Sequence, residues 1–207
     1  MKTDNGFRTI IAFAVTAAVA LFIYFGAFLP ISKSQLYVGA QANLSNVRTI
    51  QQFSDVFEKV FFYYSPVGQD EIIQGYLGTL MNIIQQQNPT PGTDAIDYLA
   101  KQAEKWGDPI MMRGKAFNYG QIIYSLGAVY KLAAVKLQNF DYYQRSVAAF
   151  RDGAKHSPGR AVFLYNLFDL YNMAGDKANA RIAGEEIAKN WPNDPQAQQI
   201  KEFLDKQ

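Results

Sequence analysis

The sequence predicts an all-α protein in which a single N-terminal transmembrane helix precedes a domain of antiparallel helical repeats. Three observations support this class. The run Thr9–Ile31 holds 23 residues without a charge and lies between Arg8 and Lys33. Beyond it, apolar residues recur at helical spacing, and no sustained two-residue alternation indicates strands. Two tracts near the C-terminus share one apolar pattern in register, which is typical of repeats.

The apolar run is long enough to cross a bilayer. As a helix it would measure about 34 Å, and a hydrocarbon core is about 30 Å thick. A secretory signal peptide has a shorter apolar core with a cleavage site close behind it, whereas Ala40-Gln41-Ala42 lies well past the run. Lys2 and Arg8 precede the run, so the positive-inside rule predicts a cytoplasmic N-terminus and an extracytoplasmic C-terminal domain on the cytoplasmic (inner) membrane.

Composition limits the classes of function. The chain has 207 residues, of which 49% are hydrophobic and 18% charged, so a packed fold is expected. The net charge of +2 predicts no nucleic-acid partner. The chain has no cysteine, which excludes disulfides and thiolate chemistry, and His156 is its single histidine, which excludes a histidine cluster within one chain. We therefore expect a non-enzymatic protein with no catalytic residue, cofactor or metal.

Breaker residues divide the chain beyond the anchor. Pro30 is expected to end the transmembrane helix, because proline lacks a backbone N–H and restricts the residue before it. Three helices are predicted at 46–64, at 69–87 and from Thr93 or Asp94 to Gly107-Asp108-Pro109. The predicted organisation is a leader at 1–8, the transmembrane helix at 9–31, a connector at 32–45, degenerate repeats at 46–112, and repeats with a C-terminal helix at 113–207.

The two C-terminal tracts resemble tetratricopeptide repeats. The unit at 161–194 has 34 residues, with bulky residues on its first helix, a Gly175-Asp176 turn and a closing Pro192. The preceding unit, 120–160, is seven residues longer, and the surplus near Ala133–Asn139 would add two helical turns. Phe168 and Gly184 depart from the repeat pattern as a bulky residue and a small residue exchanged across the helix pair, an exchange that could conserve volume.

A second resemblance covers most of the chain. An apolar helix, the aromatic segment Phe61-Phe62-Tyr63-Tyr64 before Ser65-Pro66, and the motif Ser157-Pro158-Gly159-Arg160 resemble the C-terminal extracytoplasmic tail of O-antigen ligase/polymerase-like membrane proteins. That resemblance implies a repeat domain held at the outer membrane face. The multi-spanning catalytic part of those enzymes has no counterpart in this chain, so their glycosyl-transfer activity is not carried over.

Four residues are candidates for partner contact. Asn166 is the sixth residue of the 161–194 unit, and tetratricopeptide proteins often place an asparagine there, on the concave face, to bond a bound peptide. The equivalent residue of the preceding unit is Ser125. Arg113 and Arg160 could contact an acidic partner. For each residue, solvation or a local structural role is the alternative.

The sequence therefore predicts a membrane-anchored helical-repeat scaffold that contacts lipid through residues 9–31 and binds a protein partner in the repeat groove. The resemblance to O-antigen ligase-like tails implies a place in cell-envelope or polysaccharide assembly. One alternative is a detached accessory tail that works with a separate O-antigen ligase-like enzyme. Another is a pilin-like filament subunit, since Gly6-Phe7 precedes a long apolar helix. Ala12 stands where such a subunit would have glutamate. The partner's identity and the oligomeric state are not predicted.

Overall fold

Helices form every regular element in residues 5–87 and 91–206, the part of the chain that the computed structural model describes, so the all-α prediction is confirmed. The chain forms two compact units, Met1–Ile72 and Ile73–Gln207. The helices are α1 (Asn5–Ile23), α2 (Leu29–Ala42), α3 (Ile50–Phe62), α4 (Gln69–Gln85), α5 (Thr93–Arg113), α6 (Tyr119–Leu137), α7 (Phe140–His156), α8 (Ala161–Met173), α9 (Lys177–Asn190) and α10 (Pro195–Asp205).

The stretch Gly6–Asn46 is the one helix of the described residues that is long and apolar enough to cross a membrane. Its most apolar window has a mean hydropathy of 2.4 and none of it is buried within the protein. This stretch combines α1, a π-helical turn at Tyr24–Phe28, α2 and a 3₁₀ turn at Asn43–Asn46. A helix whose apolar side chains face outward all round is suited to a lipid environment.

The prediction that Pro30 ends this helix is wrong, because α2 continues to Ala42 and most of the 32–45 connector is helical. The π-helical turn immediately before α2 explains why. It shifts the hydrogen-bond ladder by one residue, so that Leu29 and Pro30 occupy the first positions of a new α-helical segment. Proline is tolerated in a first turn because its missing N–H has no obligatory partner there.

Within the first unit, α3 folds back along α2. It begins after a capping box, in which the Thr49 side chain accepts from the Gln52 backbone N–H and the Gln52 side chain accepts from the Thr49 backbone N–H. The ring centroids of Tyr37 on α2 and Phe57 on α3 lie 6.4 Å apart. The predicted helix 46–64 is therefore confirmed as a helix with a later start, and it ends before the Ser65-Pro66 breaker.

The second unit is a series of helices in which each helix from α5 to α10 packs against the next. The short connections make successive helices antiparallel. Two glycines allow close approach at the centre of this series. A Cβ atom on Gly127 would lie 2.8 Å from the ring of Phe150, and one on Gly153 would overlap the ring of Phe163. Both phenylalanines are fully buried.

The prediction that α5 stops at Gly107-Asp108-Pro109 is also wrong, because the helix continues to Arg113 and is capped by Gly114 at φ 67°. Tertiary contacts hold the segment helical. Gly107 lies so close to Leu126 that a Cβ there would be 2.6 Å from its Cδ1, and the Tyr130 hydroxyl donates to Asp108 at 2.6 Å. These contacts outweigh the local preference against helix before a proline.

The predicted length difference between the two repeat units is present but distributed. Helix α6 has 19 residues and α8 has 13, while α7 has 17 and α9 has 14. The surplus is therefore not confined to Ala133–Asn139. In the repeat unit at 161–194, a Cβ on Gly184 would lie 3.1 Å from the Phe168 ring, so the exchanged bulky and small residues do face each other. The tetratricopeptide arrangement itself stays a prediction.

Candidate functional site

Side-chain hydrogen bonds link α6 to α8 and to the residue that precedes it; these two helices begin the two repeat units. Near their N-terminal ends, the Arg160 guanidinium donates to Gln121 Oε1 at 3.0 Å. Further along both helices, Lys131 Nζ donates to Asn166 Oδ1 at 3.0 Å and to Asp169 Oδ2 at 3.1 Å. We call this surface, defined by these five residues, the first-helix face. It carries mixed charge and polar groups that already bond one another.

Asn166 has both ends of its side-chain amide engaged on this face. Its Nδ2 donates to the Val162 carbonyl oxygen at 2.8 Å, and its Oδ1 accepts from Lys131. The side chain is half-buried. A bound peptide would have to compete with Lys131 for Oδ1. The peptide contact expected of Asn166 stays a prediction.

The other three predicted contact residues lie in different settings. Ser125 on α6 is only 4% exposed, so its side chain is out of reach of a docked partner in this structure. Arg160 is exposed at the start of α8 and belongs to the first-helix face. Arg113 is exposed at the end of α5, where its Nε donates to the Lys115 carbonyl oxygen at 2.9 Å. The structure thus brings Arg160 and Asn166 together on one face and leaves Ser125 and Arg113 outside it.

A shallow apolar groove of about 220 Å³ lies where the α6–α7 turn meets the C-terminal end of α8. Three apolar side chains at its edge are well exposed: Val135 at 49%, Phe140 at 65% and Met173 at 57%. We call this the apolar groove. Its lining is Ala134, Val135, Gln138, Asn139, Phe140, Tyr143, Leu170, Met173 and Ala174.

The turn beside the apolar groove is tightly built. Gln138 adopts a left-handed conformation at φ 51°, and the Asn139 side chain accepts backbone N–H bonds from Asp141 and Tyr142, which caps α7. Because this turn has only two residues and reverses the chain, Val135 at the end of α6 and Phe140 at the start of α7 line the same groove. Sequence reasoning missed the groove. The available signal was the presence of apolar residues directly flanking a polar turn.

A polar network joins α5, α6 and α7. The Arg145 guanidinium donates to Asp108 Oδ2 and to Glu104 Oε1, both at 2.9 Å, and Asp108 also accepts from Tyr130. We call these four residues the Arg145 network. Burial raises the pKa of the Asp108 carboxyl, and the bonds from Tyr130 and Arg145 oppose that rise. Both oxygens of Asp108 accept a hydrogen bond and Arg145 also bonds Glu104, so the network braces three helices.

The Arg145 network was also missed at the sequence level, although α5 carried a signal for it. Asp97, Lys101, Glu104 and Asp108 recur at helical spacing on one face of that helix. In the structure Asp97 accepts from the Tyr142 hydroxyl at 2.7 Å and pairs with Lys101 at 2.6 Å. The bond from Lys101, followed by that from Tyr142, holds the pKa of Asp97 below its usual range.

Within residues 5–87 and 91–206, no group of three or more histidine, cysteine, aspartate or glutamate side chains could hold a metal ion. His156 lies at the end of α7, with its Nδ1 3.0 Å from the Asp152 carbonyl oxygen and its ring 5.2 Å from that of Tyr119. That position is typical of a helix-terminal imidazole. Within the second unit, the first-helix face and the apolar groove are the two surfaces considered for partner binding.

Four tyrosine hydroxyls that donate to aspartates predict sensitivity to alkali. Burial, followed by the bond to the carboxylate, raises the pKa of each of these tyrosines, and that of Tyr165 is raised to about 12. The pairs are Tyr119–Asp152, Tyr130–Asp108, Tyr142–Asp97 and Tyr165–Asp194.

Because the folded protein keeps these protons to a higher pH than the unfolded chain, their contribution to stability is complete below about pH 10 and falls as pH rises further. We expect tyrosinate absorbance and loss of the second unit's helical circular dichroism to rise together above that pH. Tyr165→Phe should make the loss less steep. Full tyrosinate formation with the helical signal unchanged would contradict the prediction.

No protein-family model, curated protein or solved structure matches the chain. The resemblances to tetratricopeptide repeats and to O-antigen ligase-like tails therefore stay predictions from sequence motifs.

Proposed function

We propose that the protein is a membrane-anchored helical-repeat scaffold that binds a protein partner at the outer face of the cytoplasmic membrane. The main support is the apolar groove, where Val135, Phe140 and Met173 are 49–65% exposed and adjoin one another. Adjoining apolar side chains left in water at one place are typical of an interaction site.

The size and surroundings of the apolar groove favour a protein partner over a small ligand. At about 220 Å³ it has room for one large apolar side chain, whereas pockets for drug-sized ligands start at about 300 Å³. The nearby first-helix face supplies a polar rim, with the Asp169 side chain 54% exposed and Lys131 bonded to it. An apolar anchor surrounded by polar groups is the usual anatomy of a binding hot spot.

The N-terminal helix would raise the local concentration of the groove at the membrane and fix the side of the membrane on which it lies. Tethering a weakly binding groove to the membrane raises its effective concentration towards a membrane-bound partner, without any new contact. The basic residues Lys2 and Arg8 before the apolar run support placement of the second unit outside the cytoplasm. A role in cell-envelope or polysaccharide assembly follows from the motif resemblance alone.

The groove is tested by site-specific photo-crosslinking in membranes of cells that produce the protein. A benzophenone amino acid replaces Met173 in the apolar groove or, as the matched control, Ile182 on α9, which is 63% exposed. We expect a discrete protein adduct from position 173 and none from position 182. Phe140→Glu should reduce the adduct at least about tenfold, because it places a charge in an apolar contact. Equal adducts at both positions would contradict the proposal.

Protease treatment of intact spheroplasts tests the placement separately. We expect the second unit to be digested from outside, while the N-terminal leader is protected. Protection of the second unit until the membrane is permeabilised would place it in the cytoplasm and overturn the outer-face part of the proposal. The crosslinking result would still decide whether the groove binds a partner.

A further inference from the structure

Three apolar side chains are exposed together where α3 ends. Phe62 is the last residue of α3 and is 71% exposed, while Tyr64 and Val67 in the following loop are 67% and 58% exposed. The loop has its own internal bond, because the Ser65 hydroxyl donates to the Val67 carbonyl oxygen at 2.7 Å. We call Phe62, Tyr64 and Val67 the aromatic loop. Its conformation turns these side chains away from the core of the first unit.

The position of the aromatic loop follows from the pairing of α2 with α3. The Tyr37 and Phe57 rings are neighbours midway along this pair, and further down Ser32 and Tyr63 line one groove between the two helices. Lys33 Nζ donates to Gln69 Oε1, just beyond the loop. Because α3 runs antiparallel to α2, its C-terminal end returns to the level of residues 32–33.

That level is the end of the apolar run. Ile31 is the last residue of the uncharged stretch and is itself 56% exposed. Lys33, the first charged residue after the apolar run, bonds Gln69, so the aromatic loop lies near the point where the apolar run ends. If Thr9–Ile31 spans a bilayer, that point is the interface between hydrocarbon and headgroups.

We propose that the aromatic loop inserts into the interfacial layer of the same bilayer that the N-terminal helix crosses, and so forms a second membrane contact. Aromatic side chains are enriched at this depth because their rings are amphipathic. Lys59, exposed one turn before Phe62 on α3, lies further from the apolar run, where lipid phosphates would be found. This inference rests on the proposed membrane anchoring.

A second contact would restrict the rotation of the first unit about the axis of its spanning helix. A single helix can turn freely in a bilayer, whereas a helix with a neighbouring aromatic anchor on one side has a preferred rotation. The bilayer interface fits this surface better than a protein partner does, because the exposed side chains lie near the end of an apolar run whose most apolar window has no buried residue.

The test uses the full-length protein in liposomes. The chain has no cysteine, so single cysteines can carry an environment-sensitive fluorophore without further changes. Tyr64→Cys and Val67→Cys report on the aromatic loop, and each leaves the other two side chains in place. Ile50→Cys is the matched control, because Ile50 is 38% exposed at the opposite end of α3, about 18 Å away along the helix. Phe13→Cys reports whether the spanning helix is inserted.

We expect lipids carrying a spin label near the headgroup to quench the labels at positions 64 and 67 at least about twofold more strongly than the label at position 50. Lipids with a deep spin label should quench position 13. Quenching at position 13 without quenching at 64 and 67 would overturn the second contact and leave the anchor intact. A label at position 64 that is shielded from water yet not quenched by lipid would indicate a protein contact. That result would also overturn the second membrane contact. Absence of quenching at position 13 would overturn both proposals.

Discussion

Phe163→Ala is expected to lower the free energy of unfolding of the second unit by about 3–5 kcal/mol. Phe163 is fully buried on α8, packs 6.5 Å from the Phe150 ring and lies directly over Gly153 on α7. Removing the ring therefore leaves a cavity at the junction of the two repeat units. Urea unfolding followed by tryptophan fluorescence measures this unit alone, because Trp106 and Trp191 both belong to it.

A double-mutant cycle tests whether the absence of a side chain at Gly153 is required for the packing of the Phe163 ring. Gly153→Ala alone should cost about 1–2 kcal/mol, since overpacking exceeds the gain in helix propensity. In a Phe163→Leu background the smaller side chain gives way, and the same substitution should cost less than about 0.5 kcal/mol. Ile182→Ala, at a position that is 63% exposed, is the control and should change little. Additive effects of the two changes would contradict this packing.

Arg145→Met is expected to cost about 2 kcal/mol at pH 7, because it leaves Glu104 and Asp108 close together without their shared cation. The value lies below that for a fully buried pair, since the Arg145 side chain is 39% exposed. The control is Arg181→Met. Arg181 pairs with Glu185 at 2.8 Å, but both side chains are at least 60% exposed, so the loss should be under about 0.5 kcal/mol.

The pH dependence distinguishes charge from lost packing. Burial raises the pKa of Asp108 in the folded protein, so an unpaired Asp108 becomes less unfavourable as pH falls through that raised pKa. The deficit of Arg145→Met should therefore shrink between pH 7 and about pH 4. Asp108→Asn in the same background should recover part of the deficit at pH 7. A deficit that is the same at both pH values would show that the methylene stem of Arg145, and not its charge, stabilises the three helices.

Local patterns were reliable for the existence of helices and weaker at their ends. The two proline predictions fail for different reasons. Before Pro30 a π-helical turn shifts the backbone hydrogen bonds by one residue. No residue pattern in the apolar run predicts that turn. At Pro109 the helix is held by Leu126 and Tyr130, which follow in the next helix. Proline disfavours helix locally, but contacts from other helices decide whether the chain continues through it.

The candidate site was predicted only in part. Asn166 and Arg160 were singled out by repeat position, and the structure places both on the first-helix face. Ser125, chosen by the same positional logic, is buried. The residues of the apolar groove were not selected, because exposed and buried apolar residues look alike in a sequence.

By itself the sequence determined the helical class, the position of the apolar helix and the absence of thiol chemistry. These properties depend on composition and on periodicities within single helices. Only the tertiary structure decided that Val135 and Met173 share a groove, that Arg145 joins carboxylates of α5, and that the loop after α3 returns to the end of the apolar run. Each of these depends on which helices lie side by side and in what register, and that is set by packing between residues far apart in the chain.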